Sequence, residues 1–242
     1  MDSARVQLSA QINAVAMVVR KEAGPERFLG TCFAFRHRFI FLTARHNIGD
    51  LTAEQLGVLS QGNRFYPLKA VHRHPSIDVA ALVGFQADGG LPVTFSALHI
   101  FDAAFGLGEE AAAFGFPIGG GTFDEASDVP IPRVFRGHVQ RLVKYKSKPE
   151  IDPDIAYEMS FASPVGLSGG PLFVPGTDEV FGLMYRNEDS YAAAETVTVQ
   201  RGEGFVNTTE TRRVVSYGMA VALWFHKDWL DEAVPLSGSR LW

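Results

Sequence analysis

The hydrophobic positions of this chain fall in short runs bounded by charged, glycine or proline positions. The runs are rich in β-branched and aromatic residues, which favour strands. No segment before the C-terminal region keeps a long helical period, so the pattern predicts an all-β protein. The predicted strands are residues 14–19, 28–35, 39–43, 64–71, 77–83, 110–117, 134–142, 155–161, 180–186 and 214–222, with a further short strand after the glycine-rich segment 166–170. One helix is predicted at residues 225–233.

A change in composition at residues 84–108, where glycines accumulate, predicts a connection between two halves. Many short strands at regular spacing favour barrels. We therefore expect a single domain whose parts are a first barrel at 12–100, a second barrel at 106–224, the helix up to residue 233 and a tail at 234–242. Residues 119–132 predict a flexible loop, and 144–154 predict a hairpin tip. The polar stretch 187–213 predicts a mobile surface connection, with a regulatory or substrate-gating loop as the alternative.

The composition narrows the possible partners. With 46% hydrophobic and 20% charged residues, the chain is typical of soluble globular proteins. A formal net charge of −5 gives no overall attraction to nucleic acid or to an anionic membrane, and no apolar run is long enough to span a bilayer. We expect neither partner, and we interpret the basic stretch at 133–148 as a solvated face.

The single cysteine, Cys32, excludes an internal disulfide and favours a reducing compartment, so we expect a cytoplasmic protein. The first residues also lack the pattern of a secretory signal. Cys32 lies in an alternating apolar run, which predicts a buried structural thiol. His72 and His74 would point in opposite directions if extended, so we interpret this segment as a turn and expect no metal there. We also expect no cofactor.

The candidate chemistry centres on Ser168, which has Gly166 before it and a glycine pair directly after it. Glycines allow tight turns and close approach of a substrate to the backbone. The segment predicts an exposed hydroxyl, with the amides of Gly166 and Ser168 directed at one point as an oxyanion hole. The alternative is a glycine-rich turn that contains a serine by chance.

A serine nucleophile needs a base and an acid that orients it. His46 stands where an apolar strand ends, and Asp78 opens the apolar run that follows it. The alternatives are a histidine at a strand end without a role and an ordinary aspartate in a turn. The chain order is His, Asp, Ser, which differs from that of α/β-hydrolases and subtilisins.

Three segments together resemble the trypsin-like, chymotrypsin-fold serine peptidases. Residues 42–46 (LTARH) resemble the family's TAAH box, 78–82 (DVAAL) its DIAL box, and 166–172 (GLSGGPL) its GDSGGPL box. Phe114 to Pro117, Gly182-Leu183 and a last strand that runs into a helix are similar to the bacterial HtrA-like branch, here expected without its PDZ module.

The resemblance implies two antiparallel six-stranded β-barrels with the site between them. His46 would be the general base, Asp78 would orient it, Ser168 would be the nucleophile, and Gly166 and Ser168 would bind the oxyanion. Position 167 is Leu where secreted members carry Asp, so we expect no activation by N-terminal cleavage.

The resemblance also implies a specificity pocket formed by Ala162, Tyr185 and Arg186. The apolar Ala162 predicts a small or aliphatic residue before the cut, whereas an inward Arg186 would favour an acidic one; arginine is mostly exposed, which favours the first. The predicted function is a serine endopeptidase that forms an acyl-enzyme and cleaves an intracellular protein or peptide, with a regulatory protein as a further partner. A catalytically silent binding scaffold and an esterase are the alternatives.

Overall fold

A computed structural model of the chain describes residues 11–21, 28–84, 95–118, 123–124, 129–145, 154–200 and 206–234. The residues left out include 146–153 of the predicted hairpin tip, 85–94 of the predicted connection, and the tail beyond residue 234.

Strands account for most of the described residues. In the first half they are β1 (Val15–Arg20), β2 (Phe28–Phe35), β3 (His37–Thr43), β4 (Leu56–Leu59), β5 (Phe65–Arg73), β6 (Ala80–Gly84) and β7 (His99–Ile100). In the second half they are β8 (Glu110–Gly115), β9 (Phe123–Asp124), β10 (Val129–Pro130), β11 (Arg133–Tyr145), β12 (Asp154–Met159), β13 (Pro171–Phe173), β14 (Glu179–Gln200) and β15 (Val206–Ala222). The helical segments are an α-helix at Arg45–Ile48, a 3₁₀ turn at Ala53–Gln55, a second 3₁₀ turn at Leu223–His226, and the C-terminal α-helix at Lys227–Ala233. Residues 11–14, before β1, are also helical.

The strands close into two antiparallel barrels, which confirms the predicted fold class. The first barrel has the order β1-β2-β3-β6-β5-β4. The second has the order β13-β8-β11-β12-β15-β14 and is closed by the pairing of β13 with β14, while β7 adds to β14 as a parallel edge. Strands β9 and β10 form a separate small sheet within the segment for which a flexible loop was predicted.

Alternate residues of β1 face different apolar clusters, which explains why the strand is apolar on both faces. Ala16 and Val18 pack inside the first barrel with Cys32, while Val15 and Met17 belong to a cluster shared by both barrels. That shared cluster also contains Phe33 and Phe35 of β2 and side chains of β8, β14 and β15. The apolar contact therefore joins the barrels along the side of β2 and fixes their junction, where the candidate site lies.

The largest difference from the sequence prediction concerns residues 187–213. Instead of a loose connection, β14 and β15 continue past the barrel as a two-stranded ribbon, with antiparallel pairing from Gly182 opposite Ala222 to Gln200 opposite Val206. Threonine, valine and tyrosine occur in these segments and favour extended strands. The prediction was wrong here because high polarity was interpreted as a loop, although a ribbon outside the barrel needs no apolar face of its own.

Within the described residues, no helix has the length and apolar character needed to cross a membrane.

Candidate active site at the barrel junction

His46 and Asp78 come together at one end of the first barrel. β3 ends at Thr43, the short helix that follows carries His46, and Asp78 lies in the turn before β6. The His46 backbone N–H donates to Asp78 Oδ1 at 2.8 Å, and His46 Nδ1 lies 2.6 Å from Asp78 Oδ2. A carboxylate only accepts hydrogen bonds, so this contact places the ring proton on Nδ1 and leaves Nε2 with a lone pair.

The side chain of His46 is more exposed to solvent than that of Asp78. The side chain of His46 is 48% exposed, whereas that of Asp78 is 18% exposed. The imidazole is therefore accessible to a reactant, while the carboxylate behind it is sheltered from water. A sheltered acceptor on Nδ1 holds the ring in one orientation and would stabilise its protonated form.

The serine loop begins with a type II turn at residues 164–167. The Leu167 N–H donates to the Pro164 carbonyl at 3.0 Å, and Gly166 has φ of +90°, as the third position of such a turn requires. A Cβ on Gly166 would overlap the carbonyl oxygen of Phe116. Only glycine therefore suits this position.

The peptide planes of this loop are fixed by their carbonyl groups. Ile118 N–H donates to the Val165 carbonyl at 2.7 Å, and Gly170 N–H donates to the Leu167 carbonyl at 2.8 Å. Because C=O and N–H of a trans peptide point in opposite directions, the amides of Gly166 and Ser168 are turned away from these partners. In the described part of the chain neither amide donates a hydrogen bond.

Two residues of the first barrel connect the serine loop to the base. Thr31 N–H and Asn47 Nδ2 donate to the Ser168 carbonyl at 3.0 Å and 2.8 Å. Thr31 Oγ1 also donates to the Gly166 carbonyl at 2.7 Å and accepts from the Phe116 N–H at 3.0 Å. Since Asn47 directly follows His46, these bonds bring the histidine and the serine loop to one place.

The hydroxyl of Ser168 donates to the backbone carbonyl of Tyr185 at 3.1 Å. Among the described residues, no hydrogen bond links this hydroxyl to His46. The hydroxyl is attached through a single rotatable bond, so rotation about χ1 moves it without movement of the loop.

Comparison with known proteins decides the family. The family model of the trypsin-like peptidase domain matches residues 30–183, which include His46, Asp78 and Ser168. The chain belongs to this family. The match is consistent with the two barrels, and with solved structures of serine proteases that share the fold.

Three solved structures illustrate that likeness. The active form of the Rv3671c protease of M. tuberculosis has 16% identity and a TM-score of 0.63, covering 94% of this chain and 83% of its own. The HtrA-type protease AlgW, solved with a decapeptide, has 15% identity and a TM-score of 0.62, covering 96% and 67%. The serine endoprotease of Yersinia pestis has 17% identity and a TM-score of 0.59, covering 97% and 67%. Among curated proteins, no match was found.

This trypsin-like peptidase is therefore a serine protease. Its fold is similar to that of HtrA-type proteases, as the sequence motifs predict. At identities of this size the likeness to the solved structures concerns the fold, and the roles of individual residues rest on the geometry of this chain.

The residues predicted for the specificity pocket lie beside the serine loop. Tyr185 is buried, and Ala162 is partly buried. Arg186, whose side chain is 28% exposed, pairs with Glu188 at 2.5 Å. Its guanidinium carbon lies 5.7 Å from the centroid of the Tyr185 ring. The Arg186 guanidinium therefore forms an ion pair with the carboxylate of Glu188 on the same strand.

Two further residues of the peptidase border this pocket and were not predicted. Asn187 Oδ1 accepts the Ser163 N–H at 2.5 Å, and Ser163 is buried directly after Ala162. The contact joins β14 to the segment that leads into the serine loop. It fixes the position of Ala162 relative to Arg186.

Leu167 and Cys32 lie in apolar clusters. Leu167 is buried inside the second barrel, so this position makes no ion pair of the kind an aspartate would form there. Burial raises the pKa of the Cys32 thiol well above its usual value, which agrees with the predicted structural role. The described residues contain no cluster of three or more metal-ligating side chains.

Sequence reasoning missed Thr31, Asn47 and the role of His74 described below. Thr31 and Asn47 act through bonds to residues 135 and 121 positions away, respectively. No local pattern reveals such bonds. The position of Asn47 next to the candidate base was the one signal available.

Proposed function

We propose that this protein is a serine endopeptidase in which Ser168, His46 and Asp78 form the catalytic triad. The observation that carries the proposal is the double hydrogen bond of Asp78 to the backbone and ring of His46, which leaves Nε2 as a proton acceptor beside the serine loop. A hydroxyl needs such a base at neutral pH.

The proposed reaction has two halves. In the first, Ser168 Oγ attacks the carbonyl carbon of the peptide bond and its proton passes to His46 Nε2; the C–N bond then breaks, and the same proton goes to the leaving amine. In the second, water attacks the acyl carbon and gives a proton to His46 Nε2; the acyl C–O bond to Ser168 then breaks, His46 returns the proton to Ser168 Oγ, and the carboxylic acid product leaves. Asp78 accepts the Nδ1 proton as a hydrogen bond throughout and stabilises the imidazolium.

The oxyanion would bind to the amides of Gly166 and Ser168. Their undonated N–H groups and the anchored carbonyls on either side support a site that needs no rearrangement before each reaction. A fixed site of this kind also supports activity without cleavage of an N-terminal segment, because the loop is held by Thr31 and Asn47 instead of an ion pair at position 167.

The substrate would bind as an extended strand. Pairing of β13 with β14 ends at Leu183, whereas β14 continues past Tyr185 in its pairing with β15. The edge of a strand that extends past the nucleophile suits main-chain pairing with a polypeptide. This edge favours a protein or peptide substrate over a simple ester.

We further propose that the protein acts inside a cell by limited cleavage of one or a few protein substrates. A regulatory protein is proposed as a further partner. The support is the single, buried cysteine, which suits a reducing compartment.

A catalytically silent scaffold is the second candidate. One observation favours it: the Ser168 hydroxyl donates to Tyr185 rather than to His46. In the endopeptidase, the hydroxyl turns to His46 when substrate displaces this bond.

A fluorophosphonate probe separates the two candidates. We expect covalent labelling at Ser168 in the folded protein, loss of labelling in Ser168→Ala, and unchanged labelling in Ser60→Ala, a control in the turn between β4 and β5. Turnover of peptide substrates should fall by about 10⁶-fold in kcat for Ser168→Ala if the triad acts as a unit. Absence of labelling in folded wild-type protein would support the scaffold.

A further inference from the structure

The turn that delivers Asp78 is held by the ring of His74. Nδ1 of His74 accepts hydrogen bonds from the backbone amides of Ser76 at 3.2 Å and Ile77 at 3.1 Å. A ring nitrogen that accepts an N–H carries no proton, so the neutral ring has its proton on Nε2. The ring thus takes the place of the side chain in an Asx turn, because it accepts hydrogen bonds from the backbone amides of residues that follow it.

The other contacts of the His74 ring are with the C-terminal region. Its centroid lies 4.9 Å from that of Trp229 and 5.3 Å from that of His226, both in edge-to-face geometry. His74 is 8% exposed, and Trp229 packs against the core shared by both barrels. One buried ring therefore touches the turn on one side and the C-terminal helix on the other.

Arg45 holds the same turn from the side of the catalytic histidine. Its guanidinium donates to the His74 carbonyl at 3.0 Å and to the Pro75 carbonyl at 3.3 Å, and its backbone N–H donates to the Asp78 carbonyl at 3.3 Å. Because Arg45 directly precedes His46, a shift of the turn would change the geometry of the His46–Asp78 pair.

We infer that His74 is a positioning residue for Asp78: its ring caps the turn and docks it on the C-terminal helix, so the position of that helix is transmitted to the triad. The inference rests on the proposed role of Asp78 and adds two separable parts. The acceptor at Nδ1 fixes the conformation of the turn through its hydrogen bonds to the amides of Ser76 and Ile77. The ring contacts connect the turn to Trp229 and His226.

The charge state of the ring agrees with this role. Burial, the neighbouring His226 and the guanidinium of Arg45 lower the pKa of His74 to about 4. The ring is therefore neutral near pH 7, as acceptance of two amide bonds requires.

Two substitutions separate the parts. His74→Asn keeps an acceptor near the position of Nδ1 and removes the ring, while His74→Phe keeps the ring and removes the acceptor. We expect His74→Phe to lower kcat by about tenfold or more with little change in KM, since displacement of a catalytic group by a fraction of an ångström has effects of this size. His74→Asn should retain kcat within about threefold. His72→Asn and His72→Phe, at an exposed position two residues earlier in β5, are the matched controls.

A readout that does not depend on activity follows the His46 Nδ1–H proton by NMR. In the wild type this proton should resonate far downfield, as expected for a short bond to a carboxylate, and the signal should persist in His74→Asn but shift or broaden in His74→Phe. Equal behaviour of the two variants, or a wild-type value of kcat in His74→Phe, would overturn the inference. A wild type without turnover but with the expected NMR pattern would instead reject the proposed function and leave the positioning role standing.

The connection to the helix has its own test. Trp229→Ala should lower kcat by no more than about threefold, as His74→Asn does, because both variants remove the same ring contact. In the His74→Asn background Trp229→Ala should have no further effect, and additive effects would refute the coupling. If His74→Phe does not fold, the wild type still gives a result. The amide proton shifts of Ser76 and Ile77 should titrate with the His74 ring as the pH falls towards 4, and amides that do not respond would contradict the cap.

Discussion

The carboxamide of Asn47 donates a hydrogen bond of 2.8 Å to the carbonyl oxygen of Ser168. The same nitrogen lies 3.1 Å from the hydroxyl of Thr43, to which it also donates. The residue after the proposed base is therefore bonded to the proposed nucleophile, across the junction of the two barrels. This bond sets the distance between the two groups through the backbone, independently of the side-chain rotamer of Ser168.

Replacement of Asn47 by leucine removes both bonds at similar volume. We expect Asn47→Leu to lower kcat by about 10- to 100-fold, because the serine loop would no longer be held against the base, with KM changed much less. Steady-state kinetics on a peptide substrate measure the effect. The downfield NMR signal of the His46–Asp78 pair should persist, which locates the defect in the serine loop; unchanged kcat would show that Thr31 alone holds the Ser168 carbonyl.

Thr31 offers a test of the preformed oxyanion site. Thr31→Val leaves the Gly166 carbonyl and the Phe116 amide without their hydroxyl partner, and each buried group left unpaired costs about 1–3 kcal/mol. We expect a lower free energy of unfolding in urea and a lower kcat. Thr31→Ser keeps the hydroxyl and should retain most of the kcat, so a serine variant as impaired as the valine variant would mean that the methyl group, not the hydrogen bonds, matters.

The stability of the protein should depend on pH through His74. Its pKa is lowered from 6.5 to about 4 in the folded state by burial, His226 and Arg45, so the unfolded chain binds a proton before the folded one does. The contribution to stability is therefore complete above about pH 6.5 and is lost as the pH falls towards 4. Thermal unfolding at several pH values should show a smaller loss of Tm for His74→Asn than for the wild type across this window.

His37 does not confuse that comparison. Burial and Arg38 also lower its pKa, but His37 is present in both proteins, so the difference between them isolates His74. Parallel Tm curves for wild type and His74→Asn would contradict the prediction.

The pocket residues predict which bonds are cleaved. If Ala162 lines the pocket, as proposed, its wall is apolar, and pairing with Glu188 neutralises the charge of Arg186. We therefore expect small or aliphatic residues before the cut. A peptide library should show kcat/KM at least about tenfold higher for valine or alanine than for lysine or arginine at this position. Preferred cleavage after basic residues would refute the assignment. Preferred cleavage after acidic residues would mean that substrate displaces Glu188 from Arg186.

The apolar pattern by itself determined the fold class and most strands. β2 begins and ends where the sequence predicts, and β6 begins later than predicted because residues 77–79 form a turn closed by the Val79 N–H and the Ile77 carbonyl. The short strand β4 was missed, since four residues give too little pattern to interpret. The ribbon of β14 and β15 was missed because polarity was interpreted as a loop.

The sequence also determined the candidate triad, because each member stands near a boundary between an apolar run and a loop. The tertiary structure decided what holds these residues in place: Thr31 and Asn47 on the serine loop, and His74 and Arg45 on the turn before Asp78. Strand periodicity is encoded in neighbouring residues and can be seen in the sequence. A hydrogen bond between Thr31 and Gly166, which are 135 positions apart, exists only once both barrels have closed and packed.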